Sequence, residues 1–300
     1  MRAYITGANG FVGGFLDAHL RDSGDTVTHL AAGVDVADVA AVRQDMAAAQ
    51  PDVVYHLAAL ANVGASWTNP AETLRVNAIG TQSVVAAAIA CESSPAVLLV
   101  SSAEVYGAGA ANGEPSTEES ELMPISPYAA SKVAAEYIGL QSYLGRGLRV
   151  IRVRPFNHVG PGQSDSFVVS ALARRIALAE SEGRSTIKVG NLTPSRDFTD
   201  VRDVVRAYRM LAEAGDGGEV YNVCSGEPRA ISDIAERLAA LSSAELSLET
   251  DPELFRPADV PILVGDPTKL NSLTGWKPEY ALDDTLELVL EWWRRALANG

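Results

Sequence analysis

Thr6-Gly7-Ala8-Asn9-Gly10-Phe11-Val12-Gly13 follows directly on the apolar, β-branched run 2–6 and opens a stretch with helical spacing. The glycines recur as GxxGxxG. At such a junction Gly7 permits a tight turn, Gly10 lets the backbone approach a pyrophosphate, and Gly13 allows helix and strand to pack closely. The free amides of the helix N-terminus attract an anion, so Asn9, Phe11 and Val12 fall within the same ligand loop. A tight strand-to-helix turn with no ligand is the competing reading; the position straight after a strand argues against it.

Working outward, apolar runs at 2–6, 26–30, 53–57, 97–101 and 148–153 alternate with Ala-rich helical stretches at 12–22, 39–49, 77–90 and 128–144. Such alternation is the signature of βαβ units around a parallel sheet, a Rossmann-type, doubly wound α/β fold. Ligands of these sheets bind beyond the carboxyl ends of the strands. After residue 155 the rhythm changes: Pro155, Gly160, Pro161 and Gly162 cluster, as do Pro252, Pro257, Pro261 and Pro267. Helices are expected at 168–180, 201–212, 231–241 and 282–298, and short strands at 187–189 and 219–223. Residues 1–155 read as a dinucleotide-binding domain. Residues 156–300 read as a smaller α/β substrate lobe, partly interleaved with the sheet.

Tyr128 and Lys132 lie four apart and share one face of a helix. An ammonium so placed can lower the phenol's pKa and hold a hydroxyl of a sugar or cofactor, making the tyrosine an acid/base for a carbonyl–alcohol pair. An amphipathic helix with an exposed lysine is the bland alternative. The chain has four lysines (Lys132, Lys188, Lys269, Lys277) and otherwise chooses arginine, so a lysine here speaks for a compact ammonium rather than a fork.

The net charge of −14 and the lack of any basic run argue against a nucleic-acid partner. An anionic ligand must then be met by a few placed arginines and helix N-termini. No long apolar stretch or charged leader is seen, which fits a cytoplasmic protein with no membrane partner. Cys91 and Cys224 are far apart and read as reduced thiols, and His19, His29, His56 and His158 do not pair at ligand spacings, so no metal is expected.

These motifs together resemble the extended short-chain dehydrogenases/reductases, the nucleotide-sugar branch of the epimerase/dehydratase family. The likeness rests on Gly7/Gly10/Gly13, His56-Leu57-Ala58-Ala59, Asn77, Ser101-Ser102 and Tyr128/Lys132. It implies NADPH or NADH as cofactor, with Leu57, Ala58, Ala59 and Asn77 beside it. It also implies that Ser102 polarises the reacting oxygen, Tyr128 exchanges the proton, and Lys132 binds the nicotinamide ribose and lowers the tyrosine pKa. Asn77 is implied to support Lys132 through a backbone kink and a water. Where family members carry an acid or an arginine at the end of strand two, this chain runs Ala31-Ala32-Gly33; Asp35-Val36 resembles the pair that contacts adenine. The choice between NAD and NADP is left open, and the adenosine end is expected to be exposed.

On the substrate side, 154–163 (Arg-Pro-Phe-Asn-His-Val-Gly-Pro-Gly-Gln), 189–203 and Asn222-Val223-Cys224-Ser225-Gly226 most resemble reductases of GDP-4-keto-6-deoxy-D-mannose, which form GDP-D-rhamnose. The resemblance implies substrate contacts from Ser102, Glu104, Tyr128, Asn157, Val168, Lys188, Arg196, Arg256 and Asp259. Arg196 and Arg256, both read as loop residues, would clamp the diphosphate. GDP-mannose 4,6-dehydratases share part of this pattern. Glu104 stands where they carry a glutamate, whereas Ala103 and the stretch after Phe167-Val168 depart from them. A nucleotide-sugar 4-epimerase and a non-catalytic dinucleotide-binding sensor are the further alternatives. A homodimer through helices 77–90 and 128–144 is expected from the family.

Overall fold

The computed structural model describes residues 1–110, 113–255 and 260–299. Its first half winds as β1 (Arg2–Thr6), α1 (Phe11–Asp22), β2 (Thr26–His29), α2 (Val39–Ala49), β3 (Val53–His56), α3 (Val63–Thr68), α4 (Pro70–Leu74), α5 (Gly80–Ala90), β4 (Ala96–Val100), α6 (Pro127–Arg146) and β5 (Val150–Pro155). The second half continues as β6 (Asn157–Val159), α7 (Val168–Glu182), β7 (Thr186–Val189), β8 (Ser195–Asp200), α8 (Val201–Ala214), β9 (Val220–Val223), β10 (Pro228–Ala230), α9 (Ile231–Ala240), β11 (Ser247–Thr250), β12 (Ile262–Leu263), α10 (Thr268–Thr274) and α11 (Leu282–Ala298).

Among the described residues, six strands form the main sheet in the order β2-β1-β3-β4-β5-β9, and all neighbours run parallel. β3 and β5 are buried at every position, as strands covered on both faces must be. One face packs on α1 and α8 through Ile5, Leu16, Val153, Val204 and Tyr208; the other packs on α2 and α5 through Tyr4, Met46, Val84 and Val97. β1 pairs with β2 on one side and β3 on the other, so the loops leaving β1 and β3 diverge. That divergence is the topological switch point, and it opens the crevice where such folds bind ligands.

A second core, with Leu172, Ile176, Phe198, Ile234, Leu286 and Leu290, joins α7, α9 and α11 to the short strands of the second half. Here β8 pairs with β6, β10 and β12, while β11 pairs with β7. This is where expectation and fold part. The segment with Arg196, expected to be a loop, is a strand, and Arg196 is buried. Its pattern Ser-Arg-Asp-Phe-Thr-Asp hides the strand because its buried positions, Phe198 apart, are polar or charged. The helix expected from residue 77 begins as a π-helical turn, Arg75–Ile79, and becomes α5 only at Gly80.

Candidate active site

At the end of β1 the chain turns through Gly7 at φ +79°, where a Cβ would stand 2.7 Å from the Ala58 amide nitrogen. A Cβ on Gly13 would stand 2.3 Å from the Gly7 carbonyl oxygen and 2.7 Å from the Ala8 Cα. Both positions therefore demand glycine. Gly10 is the N-cap of α1 and no side chain caps the helix there, while Asn9 and Gly10 are exposed. A helix start stripped of side chains, with its amides open, fits a pyrophosphate, so the residues present suit a dinucleotide. Phe11 and Val12 are half-buried; Phe11 stacks on His158 with centroids 6.2 Å apart.

Next along the crevice come Leu57, Ala58 and Ala59, half-buried at the end of β3. Behind them His56 is locked: Thr81 donates its proton to the Asn77 carbonyl oxygen at 2.7 Å, so Nε2 of His56 must donate to Thr81 at 3.0 Å and Nδ1 accept from Thr6 at 2.8 Å. Burial pushes the imidazole down to about 3, with the charge of Lys132 acting the same way, so the ring is neutral. Asn77 lies in the π turn; its amide group donates to Ser131 at 2.8 Å and to the Leu60 carbonyl oxygen at 3.1 Å, and its Oδ1 accepts from the Leu60 amide at 2.8 Å. The π turn thus ties the loop after β3 to α6, one residue before Lys132.

Ser126 caps α6 by accepting from the Ala129 amide, and Pro127 fills the first turn, so Tyr128 and Lys132 stand on one face of its opening turns. Both are buried. The phenol is pushed up to about 12, mainly by burial, with the Ser102 hydroxyl pulling it down and the nearby Glu104 carboxylate pushing it further up. Lys132 moves the opposite way, to about 8, because burial disfavours its charge while Glu136 favours it. Lys132, expected to lower the tyrosine pKa, is not among the causes of the phenol's shift here, which are burial, Ser102 and Glu104. Its Nζ lies 6.0 Å from the phenol ring centre and donates to the Val100 carbonyl oxygen at 2.9 Å.

A cavity of about 190 Å³ gathers Val12, Leu57, Ala59, Ser102, Glu104, Tyr128 and Lys132 with Asn157 and Val168. A second cavity of about 190 Å³ shares Asn157, Ser166 and Val168 with it and runs to Asn191, Leu192, Arg175 and Arg196. The structure therefore brings Arg196 to the site, from a strand. It also brings Arg175, which sequence reasoning passed over because, on a helix, it reads as solvated surface.

Lys188 does not join them. On β7 the buried positions are Ile187 and Val189, so the two-residue period sends Lys188 outward to pair with Asp251 at 3.0 Å. Arg256 and Asp259 lie outside the described residues. At the far end Asp35 is exposed; it accepts from the Ala37 amide at 2.9 Å and from Arg75 at 2.7 Å. Val36 turns inward against Gly80, which leaves only its backbone to face a ligand. Ala31, Ala32 and Gly33 are exposed, and Arg75 is a cation at this edge that the sequence did not reveal.

Comparison with known proteins bears on the family and the fold. Residues 30–289 match the family model described as GDP-mannose 4,6 dehydratase. The GDP-6-deoxy-D-mannose reductase of Pseudomonas aeruginosa is 39% identical over 295 residues, 97% of each chain. The structure of RMD from Pseudomonas aeruginosa complexed with NADPH superposes with a TM-score of 0.90 at 37% identity, over 98% of this chain and 99% of that one. The Thermus thermophilus UDP-glucose 4-epimerase in complex with NAD gives 0.88 at 25% identity, over 99% and 100%.

Proposed function

The chain belongs to the GDP-mannose 4,6-dehydratase family of the extended short-chain dehydrogenases/reductases, and on that premise we propose that it is an NAD(P)H-dependent reductase of a nucleotide-linked 4-keto-6-deoxy sugar. The substrate is GDP-4-keto-6-deoxy-D-mannose and the product GDP-D-rhamnose. The observation that carries the reading is the juncture of Ser102, Tyr128 and Lys132 in one cavity with an arginine-bearing second cavity leading from it.

When bound, the reduced nicotinamide supplies hydride to C4. The chain supplies the rest. Tyr128 gives its proton to the forming alkoxide, and a phenol held near 12 is in the protonated state that this direction needs. Ser102 hydrogen-bonds the same oxygen as charge develops on it. Lys132 holds the ribose and contributes positive charge beneath the phenol. Arg196 and Arg175 meet the diphosphate, since guanidinium forks match phosphate oxygens. Asn157 and Val168, common to both cavities, flank the sugar between them.

The dehydratase is the second reading, because Glu104 lines the catalytic cavity, where a carboxylate could take the C5 proton. Against it stands Ala103, which brings neither acid nor hydroxyl to the place beside it. Residues 1–155 form the dinucleotide half in this reading. Residues 156–300 form the substrate half, which lends β9 to the sheet. No helix among the described residues is long and apolar enough to cross a membrane, and the enzyme is proposed as cytoplasmic. Exposed Ile89 on α5 with Tyr137 and Leu144 on α6 supports a homodimer through these helices.

The test is to mix the protein with GDP-4-keto-6-deoxy-D-mannose and NADPH or NADH, follow the nicotinamide absorbance and identify the sugar by NMR. Stoichiometric oxidation with GDP-D-rhamnose formed is expected. A 4-keto product made from GDP-mannose with no net cofactor consumption would replace the reductase by the dehydratase.

A further inference from the structure

One turn beyond Lys132 on the same face of α6 lies Glu136, whose side chain is wholly buried. Its carboxylate accepts from the Ser101 hydroxyl at 2.5 Å and from Arg154 at two points, Nε at 2.9 Å and Nη2 at 2.8 Å. Arg152 approaches to 3.8 Å. Arg154 donates onward to the Tyr106 hydroxyl at 3.0 Å and to the Glu118 carbonyl oxygen at 3.2 Å. A buried carboxylate needs its partners, and Arg154 alone supplies a bidentate one. Of its other neighbours, Ser101 is the residue before Ser102, and Lys132 stands one turn earlier on the same helix face.

The surroundings of the ammonium single this carboxylate out. From β3 it faces His56, which is neutral; from β4, the Val100 carbonyl; on its own helix, the phenol of Tyr128. The π turn and α5 offer Asn77 and Thr81, neither of which titrates. Arg152 and Arg154 come from β5 and face Glu136, while Glu104 acts on Tyr128 rather than on Lys132. Among the described residues, Glu136 is the carboxylate that acts on Lys132.

We propose that Glu136 is a positioning residue for the reduction: it keeps the buried Lys132 protonated at working pH and, through Ser101, anchors the strand end that carries Ser102. The inference rests on the reductase reading. Burial alone drives the ammonium toward its neutral form, and a neutral amine loses the charge that supports the phenol and its ribose contact. Glu136 opposes that loss from within the same helix, where burial leaves little screening by salt.

The experiment compares the wild type with Glu136→Gln, Glu136→Asp and the double variant Glu136→Gln/Arg154→Met. It measures kcat/KM from pH 6 to 10 and the NADPH dissociation constant over the same range by tryptophan fluorescence. In the wild type the basic limb of both profiles is set by Lys132, near 8. In Glu136→Gln the limb moves down by about one pH unit or more, the size of effect a nearby charge exerts. Glu136→Asp brings it back.

The double variant keeps the fold tractable, because removing both members of a buried pair is often neutral for stability, and it shows a smaller downward shift than Glu136→Gln, since the Arg154 cation leaves with the carboxylate. An unmoved basic limb in a folded variant would overturn the proposal, as would a loss of rate equal at every pH with NADPH binding unchanged. If the wild type reduces no keto sugar, the reductase reading fails; the NADPH titration still reads the shift at Glu136.

Discussion

The ammonium of Lys132 stands 6.0 Å from the ring centre of Tyr128, and the hydrogen bond it makes, at 2.9 Å, goes to the carbonyl oxygen of Val100 instead. The two residues are thus paired by the helix and separated by the fold. Burial raises one pKa, to about 12, and lowers the other, to about 8, so the phenol holds the proton that a donor must carry.

Tyr128→Phe removes the donor and keeps the ring. Turnover is expected to fall by about 10²–10⁴-fold, the usual worth of a positioned general acid. Calorimetric binding of the sugar nucleotide should change little. A variant reducing the keto sugar at the wild-type rate would exclude Tyr128 as the acid.

Gly13→Ala places a methyl group against the Gly7 carbonyl and Ala8, with no flexible side chain to give way. Overpacking of this kind costs about 1–3 kcal/mol and displaces backbone. The expected outcome is a lower melting temperature together with weaker NADPH binding. The control is Gly14→Ala in the next position, where a Cβ meets nothing within 4 Å and both readings should stay near wild type.

Arg196→Ala and Arg175→Ala each remove a guanidinium from the second cavity. A hydrogen bond to a charged group is worth about 1.5–3 kcal/mol, so GDP affinity should drop by about 10–100-fold for either one. NADPH affinity should hold. If GDP binding survives both changes, the diphosphate lies elsewhere.

Glu180 joins α7 to α11 by accepting from Arg294 at 2.7 and 2.8 Å and from the Ser242 hydroxyl at 2.9 Å. Arg294 first, then Ser243 and Ser242, draw its pKa down to about 2 against the cost of burial. A carboxylate depressed in the folded state contributes stability that is present above its unfolded value, near 4.3, and lost as the pH falls toward 2. Urea unfolding between pH 5 and 2 should show this loss in the wild type and a shallower one in Glu180→Gln. Equal slopes would mean that the ion pair stabilises nothing.

Much of the site was legible because its signals are local. The glycine spacing, the Tyr–Lys spacing and the alternation of strand and helix each act over a few residues, where sterics and helical geometry leave little choice. Arg196 lines the second cavity, but from a strand rather than from the expected loop. Its strand is buried by polar pairing: Asp197 receives the Ser225 hydroxyl at 2.6 Å, the Ser225 and Gly226 amides at 2.8 Å each, and the Gly265 amide at 3.4 Å. No hydrophobic period betrays such a strand. Lys188 was assigned to the substrate although the parity of its own strand points it at solvent.

By itself the sequence determined the doubly wound sheet, the turn that faces a pyrophosphate and the helix face bearing Tyr128 and Lys132, because each follows from backbone geometry within one βα unit. Tertiary structure alone decided that Arg175 and Arg196 line one cavity and that the π turn at Asn77 reaches Ser131. It also decided that a carboxylate, Glu136, lies beneath the catalytic lysine between Ser101 and Arg154. These contacts join residues far apart in the chain, brought together only when the strands pair and the helices pack on them. Their energetics, too, depend on burial, which no local spacing records.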